Sequence, residues 1–252
     1  LNLPTIGLCE ELKPEQVISY SRRFGISAEM MKNLTTCLGS LSVTLQEMLS
    51  AYGVFANQGR LVKPIYVLKV EDQDGNILES SVPELQQVTS EETAFLMSNL
   101  LQDVVQRGTG RRARAIGRPS AGKTGTTNDS VDAWYIGYIP QLLTGVYVGF
   151  DQPRNMGKSE TGSRAAAPIW ISFMKNAVAN LPTEQFQQPP GITTIKIHKS
   201  GRRATACDNH DDILEEHYKS GTEPVLDLSV SGNCMMAVKS AEEVKEESET
   251  EL

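Results

Sequence analysis

The sequence contains no long hydrophobic run, few aromatic residues and no recognisable signal peptide. Its apolar stretches fall short of the roughly 18 residues that cross a membrane, and aromatic residues make up 6% of the chain. A first residue of leucine rather than methionine predicts a fragment, so the missing targeting signal excludes little. With 252 residues and 39% hydrophobic content, we expect one sizeable domain with an appendage.

Basic residues are in the minority, with 24 lysines and arginines against 31 acidic residues. The formal net charge of -7 argues against a nucleic-acid-binding protein. The charge is uneven, because arginines cluster between residues 107 and 118 while the C-terminal end is mostly acidic. We interpret the arginine cluster as a solvated loop, with contact to anionic wall material or membrane as the alternative.

Cysteine is also scarce, and no two cysteines form a CxxC pair. The four are Cys9, Cys37, Cys207 and Cys234. Because close ligand pairs are missing, the spacing argues against zinc, and we expect neither a metal nor a cofactor. A Cys207–Cys234 disulfide is compatible with an oxidising compartment, but spacing alone does not establish it. The histidines and aspartates between residues 198 and 217 are interpreted as a solvated polar stretch rather than a metal site.

The most informative segment is residues 121–127, where one lysine, three threonines and two glycines fall within six positions. An alternating run follows at residues 133–138, with the period of a β-strand. If residues 118–127 form the adjacent strand, Thr124 and Thr126 share one face, and Lys123 and Gly125 share the other. Hydroxyls and an ammonium group suit a carboxylate, and glycine lets another backbone approach. This pattern predicts a recognition edge for a peptide-like acid.

The surrounding chain predicts helices and antiparallel strands. Capping boxes at residues 44–47 and 89–92 begin two helices, the first ending at Gly59 and the second closed by residues 108–110. Asp74-Gly75 indicates a hairpin, and strands are expected at 133–139 and 143–150. A last helix is expected at 165–179, with an apolar side formed by Ile169, Phe173 and Ala177. This order favours an α+β fold with an antiparallel sheet covered by helices.

The chain is expected to divide into three parts. Residues 1–182 form the main domain, which ends at the Leu181-Pro182 edge. Residues 183–225 form a short C-terminal extension that includes a strand-like segment at 192–198. Residues 226–252 form an acidic tail whose composition predicts disorder.

Two motif matches compete for Lys123. Gly117, four intervening residues and then Gly122-Lys123-Thr124 fit the phosphate-loop pattern of nucleotide-binding proteins. That loop must follow a buried strand and begin a helix, whereas the preceding residues are basic and the following ones alternate as a strand. Nucleotide binding is therefore the less favoured interpretation. The other match is K-T-G at residues 123–125, a motif of serine acyltransferases that bind penicillin.

The K-T-G match lies within a much longer resemblance that covers about residues 2 to 224. Its elements are Gly39-Ser40, Phe55-Ala56-Asn57, Gly108-Thr109-Gly110, Arg118-Pro119, Ala121-Gly122-Lys123-Thr124-Gly125-Thr126-Thr127, Asp132-Ala133-Trp134, Thr144-Gly145-Val146, Ala165-Ala166-Ala167-Pro168-Ile169-Trp170 and Gly221-Thr222-Glu223-Pro224. Together they resemble the C-terminal part of the transpeptidase domain of class A penicillin-binding proteins, within that family the 1A branch.

The resemblance implies a penicillin-binding, serine-transpeptidase-like fold that is incomplete at its N-terminus. It also implies acyl transfer from D-Ala-D-Ala stem peptides through a serine acyl-enzyme, which cross-links peptidoglycan, and reaction with β-lactam antibiotics. No cofactor and no nucleic acid are implied. The parent protein is expected to carry a glycosyltransferase domain and a membrane anchor, and to act on the periplasmic face of the bacterial inner membrane.

The resemblance assigns roles to the residues of the central segment. Lys123 is expected to supply positive potential near the substrate's terminal carboxylate and the catalytic serine. The hydroxyls of Thr124 and Thr126 would bind that carboxylate, and the Thr126 N–H would form half of the oxyanion hole. Gly125 lets the substrate lie along the strand, and Thr127 either joins the substrate site or supports it structurally.

The remaining family motifs are incomplete in these residues. Asn2 is expected to belong to S-x-N, with its serine before the first residue, although it could simply cap a turn. The S-x-x-K at Ser172 and Lys175 follows K-T-G in the chain, so we interpret it as a chance match and expect the nucleophile upstream. The alternatives are a non-catalytic wall- or partner-binding module, or a related carboxypeptidase or β-lactamase-type hydrolase.

Overall fold

A computed structural model describes residues 2–225 of the chain. The contacts divide the chain into two units, Leu1–Gln187 and Gln188–Leu252. None of the helices in the described part is both long and apolar enough to cross a membrane. The predicted acidic tail at 226–252 lies outside the described residues, and the assignment of residues 1–182 to one domain stays a prediction.

The first unit contains six α-helices among its described residues. They are α1 (Leu3–Leu12), α2 (Pro14–Arg23), α3 (Leu34–Cys37), α4 (Leu45–Ala56), α5 (Glu91–Gln106) and α6 (Ala167–Ala177). Short 3-10 helices lie at Arg111–Ile116 and Asn128–Ser130, and a π-helical turn at Gly162–Ala166 leads directly into α6. Helix α1 was not predicted, because its sequence begins with a short apolar stretch and no capping signal.

The strands of the first unit form three antiparallel sheets. They are β1 (Arg60–Val62), β2 (Lys69–Glu71), β3 (Ile77–Ser80), β4 (Leu85–Gln87), β5 (Ala121–Thr126), β6 (Ala133–Ile139) and β7 (Leu142–Val148). β1 pairs with β4 and β2 pairs with β3, while the central sheet has the order β5-β6-β7. The predicted hairpin at Asp74-Gly75 joins β2 to β3, with Gly75 at a φ of 84°. Helices and antiparallel sheets together confirm the predicted α+β class.

One face of the central sheet packs against α6. Trp170 and Met174 are fully buried there, and Trp170 lies against Tyr135 of β6 with ring centroids 5.0 Å apart. The indole N–H donates to the carbonyl oxygens of Gly137 (3.2 Å) and Thr144 (3.1 Å), so this large side chain also has its polar atom satisfied. The sheet and α6 therefore form the main apolar core of the unit.

The opposite face of the central sheet is covered by α4 and α5 at one end. Tyr138 of β6 is buried there, and its hydroxyl lies 2.9 Å from that of Ser98 on α5. Gly145 of β7 lies so close to α4 that an added Cβ would be 2.9 Å from the side chains of Leu45 and Leu49. Burial raises the pKa of the Tyr138 hydroxyl well above its usual range, since an ionised phenol would be poorly solvated here.

The predicted capping box at the start of α4 is present. The Glu47 N–H donates to Thr44 Oγ1 (3.1 Å), and the Thr44 N–H donates back to Glu47 Oε2 (2.9 Å). The other carboxylate oxygen accepts from the backbone N–H of Ser27 (2.8 Å) and from its hydroxyl. These hydrogen bonds lower the pKa of Glu47 to about 2, since they favour the ionised form. One carboxylate thus joins the start of α4 to the segment after α2.

Helix α5 begins one residue later than its predicted box. Its N-cap is Ser90, whose hydroxyl accepts from the Thr93 N–H at 3.3 Å, rather than Thr89. Both residue types cap helices well, so the sequence did not distinguish two adjacent candidates. The predicted helix itself is confirmed, and it ends before residues 108–110 as expected.

The apolar side predicted for the last helix is not its buried side. Ile169 and Phe173 are each 52% exposed, whereas Ala167, Trp170 and Met174 are buried. Both sets have helical spacing, because this helix is apolar over most of its circumference. Periodicity alone could not decide which of the two faces meets the sheet.

A disulfide joins Cys9 of α1 to Cys37 of α3, with Cα atoms 6.2 Å apart. Cys9 is the buried residue of α1, while Leu3 and Leu8 on the same helix are well exposed. The sequence did not predict this pair. The pairing considered instead involves Cys234, which lies outside the described residues.

The second unit, considered by itself, contains an antiparallel pair of strands. β8 (Ile192–His198) confirms a predicted strand, and it pairs along its full length with β9 (Ile213–Lys219). β9 was expected to be part of a polar stretch, because its charged residues hide the alternation. A 3-10 helix at His210–Asp212 precedes β9. The Arg202 guanidinium donates hydrogen bonds to the Asp208 carboxylate. This interaction holds the pKa of that carboxyl well below its usual range.

Candidate functional site

The candidate site lies on β5, which carries the predicted recognition segment. Among the described residues β5 pairs on one side only, with β6. The register places Lys123 opposite Ile136 and Thr124 opposite Tyr135. Because paired residues of an antiparallel sheet point to the same side, Lys123 and Gly125 share the face of α4, and Thr124 and Thr126 share the face of α6. The predicted alternation is therefore present.

A cavity of about 1330 Å³ opens on the α4 side of this strand. The five consecutive residues Lys123 to Thr127 form one wall, with Trp134 and Tyr147 from the neighbouring strands. The opposite wall consists of apolar side chains from α2 and α4 together with the loop at residues 38–43. A groove with one polar edge and one apolar wall can take up an extended chain that carries a charged end.

Lys123 extends from the strand into this cavity. Its Nζ donates to the backbone carbonyl of Thr124 at 2.7 Å, and the residue as a whole is exposed. Desolvation by the surrounding protein lowers the pKa of the ammonium group, since the charged form is less well solvated there than in water. A partly desolvated cation at the edge of an open groove is suited to attract an anionic ligand.

The turn that begins at Gly162 packs directly on the backbone of β5 at Gly125 and of β6 at Trp134. A Cβ on Gly162 would lie 2.3 Å from the Trp134 carbonyl oxygen and 2.5 Å from that of Gly125. The π-helical turn before α6 can therefore touch the sheet backbone only because residue 162 is glycine. From this position the Gly162 N–H donates to Thr126 Oγ1 at 3.0 Å. Sequence reasoning missed Gly162, which carries no short-range signal of this contact.

Thr124 meets a residue from a different loop. Its hydroxyl oxygen lies 2.7 Å from that of Thr109, and either atom can be the donor. Thr109 follows α5 and lies between Gly108 and Gly110. The sequence identified these three residues only as the end of a helix and as part of the family resemblance.

Thr127 closes the turn between β5 and β6. Its hydroxyl accepts from the Asp132 N–H at 2.7 Å, and its own N–H donates to the Asp132 carbonyl at 3.1 Å. The Asp132 carboxylate in turn accepts from the Tyr147 hydroxyl (2.8 Å), whose ring packs on Trp134 with centroids 4.8 Å apart. The geometry gives Thr127 a supporting position at the end of the recognition edge.

The structure does not bring every sequence candidate to this edge. Asn2 is exposed at the start of α1, accepts the Ile6 N–H through its backbone carbonyl, and is not among the residues lining the cavity. Ser172 and Lys175 are exposed on α6, which packs on the sheet face away from the cavity. The phosphate-loop match also lacks its usual context, because Gly122-Lys123-Thr124 lies within a strand that is followed by another strand.

No group of three or more histidine, cysteine, aspartate or glutamate side chains in the described part of the chain is placed to hold a metal ion. The groups that β5 presents at this edge are an ammonium group, hydroxyls and backbone amides. These groups bind and polarise anions and carbonyl oxygens.

Comparison with known proteins identifies the family of this arrangement. Residues 13–175 match the model of the penicillin binding protein transpeptidase domain. Penicillin-binding protein 1A of Aquifex aeolicus is 34% identical over 229 residues, and that of Pseudomonas aeruginosa is 35% identical over 275 residues. The alignments cover 91% and 88% of this chain but only 31% and 34% of those proteins. The chain thus spans about a third of the length of the curated relatives it matches.

Solved structures agree with the sequence comparison. The crystal structure of penicillin-binding protein 1A from Haemophilus influenzae superposes with a TM-score of 0.81 and 29% identity, covering 89% of this chain and 39% of that one. The PonA1 protein of Mycobacterium tuberculosis in complex with penicillin V gives a TM-score of 0.60 and 26% identity, with 70% of this chain and 53% of that chain covered. These similarities confirm the predicted penicillin-binding fold.

Proposed function

The chain belongs to the penicillin-binding protein transpeptidase family, and we propose that it carries the carboxylate-recognition half of a serine D,D-transpeptidase site. The substrate is a peptidoglycan stem peptide ending in D-Ala-D-Ala, and the product is a cross-link to a neighbouring peptide. The observation that carries this proposal is strand β5, which pairs on one side only within residues 2–225 and whose residues Lys123 to Thr127 form a continuous wall of the groove.

Each residue of this wall has a role that its geometry supports. The Lys123 ammonium, on the cavity side of β5, attracts the terminal carboxylate. The Thr124 and Thr126 side chains leave the other face of the strand, but both residues line the cavity, and their hydroxyls donate to the carboxylate at the edge between the two faces. Gly125 presents no side chain to the groove, so an extended peptide can lie along the strand. The Thr126 N–H is half of the oxyanion hole, a contribution of about 3 kcal/mol in the transition state. Thr127 supports the turn through Asp132 rather than touching substrate.

The reaction is acyl transfer in two steps. A serine hydroxyl attacks the carbonyl of the penultimate D-alanine, its proton passes to a base, and the C–N bond to the last D-alanine breaks as that amine is protonated. An amine of a second stem peptide then attacks the ester, forming the new amide and releasing the serine. We propose that the serine and its lysine come from outside these 252 residues. Asn2 does not line the cavity described above, so its place in the S-x-N motif of the site stays a prediction from the resemblance.

β-Lactams would react as analogues of the acyl donor. The ring carbonyl acylates the same serine, and the ring carboxylate occupies the position of the peptide carboxylate beside Thr124 and Thr126. The similarity to a structure determined with penicillin V supports this part of the proposal. The whole protein is proposed to be anchored in the inner membrane with this domain on the periplasmic side, as the resemblance to class A proteins implies.

Intact-mass measurement after incubation with a penicillin tests the proposal. We expect no adduct on the 252-residue chain and one adduct per molecule on a chain extended by the upstream sequence of its gene. In the extended chain, Lys123→Gln should slow acylation at least about a hundredfold, since it removes the cation from the carboxylate and serine. Lys63→Gln is the matched control, because Lys63 is exposed and pairs only with Glu84 among the described residues.

The other outcomes identify the alternatives. An adduct on the 252-residue chain itself would contradict the external nucleophile and make Ser172 the first residue to substitute. No adduct on the extended chain would favour a non-catalytic peptide-binding module. Rapid release of the adduct by water, with no transfer to an amine acceptor, would favour a hydrolase.

A further inference from the structure

We propose that Thr109 is a positioning residue, which holds the Thr124 hydroxyl as a donor toward the carboxylate of the acyl donor. This inference rests on the proposed function of β5 and adds a residue from outside that strand. It starts from the 2.7 Å distance between the hydroxyl oxygens of Thr109 and Thr124. This distance is typical of a good O–H···O hydrogen bond.

The direction of this hydrogen bond follows from what each hydroxyl must do when a substrate is bound. A hydroxyl has a single proton and two acceptor lone pairs, and an ionised carboxylate can only accept. If the Thr124 proton is donated to a carboxylate, its oxygen is left to accept from Thr109. Thr109 then donates, and this neighbouring donor polarises the Thr124 hydroxyl and strengthens its bond to the anion.

The loop that carries Thr109 is held tightly against the end of α5. The N–H groups of Gly108 and Gly110 both donate to the Val104 carbonyl, at 3.1 and 3.0 Å. A Cβ on Gly108 would lie 2.9 Å from the Val104 backbone, and one on Gly110 would lie 3.1 Å from it. A side chain at residue 108 would force the loop away from α5, and one at residue 110 would be tightly packed. The backbone that carries the Thr109 hydroxyl is therefore held in a fixed position, as a positioning group requires.

The second hydroxyl of the same strand face has an equivalent arrangement with an unambiguous direction. Gly162 donates its N–H to Thr126 Oγ1, and an N–H cannot accept. The Thr126 proton is consequently directed elsewhere and can be donated to a ligand. The hydroxyl oxygens of Thr124 and Thr126 thus each accept a hydrogen bond, from the Thr109 hydroxyl in one case and from the Gly162 N–H in the other. Both hydroxyls are prepared to donate to one anion.

A purely structural role for Thr109 would be to attach its loop to β5. Loss of that role would slow acylation by every acyl donor alike, because the whole strand would shift. Loss of the positioning role would slow acylation only by those acyl donors that carry the carboxylate. A pair of acyl donors that differ in this one group therefore distinguishes the two roles.

The experiment uses the extended, acylation-competent chain with benzylpenicillin and with its methyl ester. The variants are Thr109→Val, which removes the hydroxyl at nearly constant shape, and Thr109→Ser, which retains it. The control is Thr193→Val, which removes a comparable hydroxyl pair (Thr193 and Ser220, 2.9 Å) from the second unit. Both the dissociation constant of the initial complex and the acylation rate constant are measured for each variant.

For benzylpenicillin we expect Thr109→Val to lower the ratio of the acylation rate constant to the dissociation constant by about threefold to tenfold, as for loss of one neutral hydrogen bond that supports the contact with the ligand. Most of the loss should be in the dissociation constant. The methyl ester should react with wild type and Thr109→Val at the same rate. Thr109→Ser should restore the benzylpenicillin value, and Thr193→Val should match wild type.

Four results would overturn the inference. Equal losses for the acid and the ester would assign Thr109 a structural role, and no loss for either would leave Thr124 independent of it. If Thr109→Ser also showed the loss found for Thr109→Val, the hydroxyl would not be the group responsible, and the inference would be wrong. If wild type forms no adduct with either compound, the proposed function itself is wrong, and the inference is lost with it. Where the valine variant does not fold, as judged by thermal unfolding, Thr109→Ala takes its place.

Discussion

The two faces of the central sheet differ in how completely they are covered. On the α6 face, Trp170 fills the space over Gly137 so closely that an added Cβ there would lie 2.9 Å from the indole. On the α4 face, only one end of the sheet is packed, and the other end forms the wall of a cavity of about 1330 Å³. The comparison separates two tasks, since one face stabilises the sheet and the other leaves a strand edge accessible.

The largest effect should come from breaking the covered face. Trp170→Ala removes a fully buried indole and two hydrogen bonds, so we expect the free energy of unfolding to fall by about 3–5 kcal/mol. Urea-induced unfolding of the chain measures this loss. Phe173→Ala is the control on the same helix, because that side chain is 52% exposed and should cost less than about 1 kcal/mol. Similar losses for the two variants would contradict the assigned buried face.

The disulfide is the next most important contribution, on the side of the cavity. It closes a loop with a sequence separation of 28 residues, which in the chain-entropy model contributes about 3–4 kcal/mol. We expect Cys9→Ser to lower the thermal midpoint under oxidising conditions and to reduce the shift of that midpoint caused by dithiothreitol. An unchanged midpoint on reduction of the wild type would show that α1 is held in some other way.

An intermediate effect is expected where the two faces meet, at the start of α6. Gly162→Ala places a methyl group against two carbonyl oxygens, and relief of this clash should cost about 1–3 kcal/mol. The shift should also remove the donor behind Thr126. Differential scanning calorimetry measures the stability change. Gly7→Ala provides the matched control, because nothing lies within 4 Å of an added Cβ there, and helix α1 accommodates alanine.

The smallest effect concerns the cap of α4 on the cavity side. Glu47→Gln leaves one acceptor oxygen where the carboxylate had two, and we expect a loss of about 1–2 kcal/mol at pH 7. The folded-state pKa of about 2 lies below the ordinary value of 4.5, so this stabilisation is complete above pH 4.5 and is lost as the pH falls through 2. The free energies of unfolding of wild type and variant, measured between pH 2 and 7, should therefore approach each other as the pH falls toward 2. Parallel curves over the whole range would be inconsistent with this role for Glu47.

Local signals predicted the recognition strand well, whereas contacts between distant residues were not predictable. The alternation around Lys123 and the capping box at Thr44 depend on neighbours a few positions apart, and both are found. The Cys9–Cys37 pair and the contact of Thr109 with Thr124 depend on how separate elements meet, which no short-range pattern records. The prediction of the buried side of α6 was wrong for a related reason. Two faces of this apolar helix carry hydrophobic residues at helical spacing, and only the contact with the sheet determines which of them is buried.

Within the part of the chain that the structure describes, β5 pairs on one side only, and this has a consequence for the solubility of the protein. A strand edge with free backbone groups can pair with the same edge of a second copy, which is the usual route to sheet-mediated aggregation. Natural proteins reduce this hazard with charged side chains, especially lysine, on such strands. Lys123 sits in the middle of β5, so the cation proposed to attract substrate would also repel an identical strand. Selection for recognition and selection against self-association would then retain the same residue.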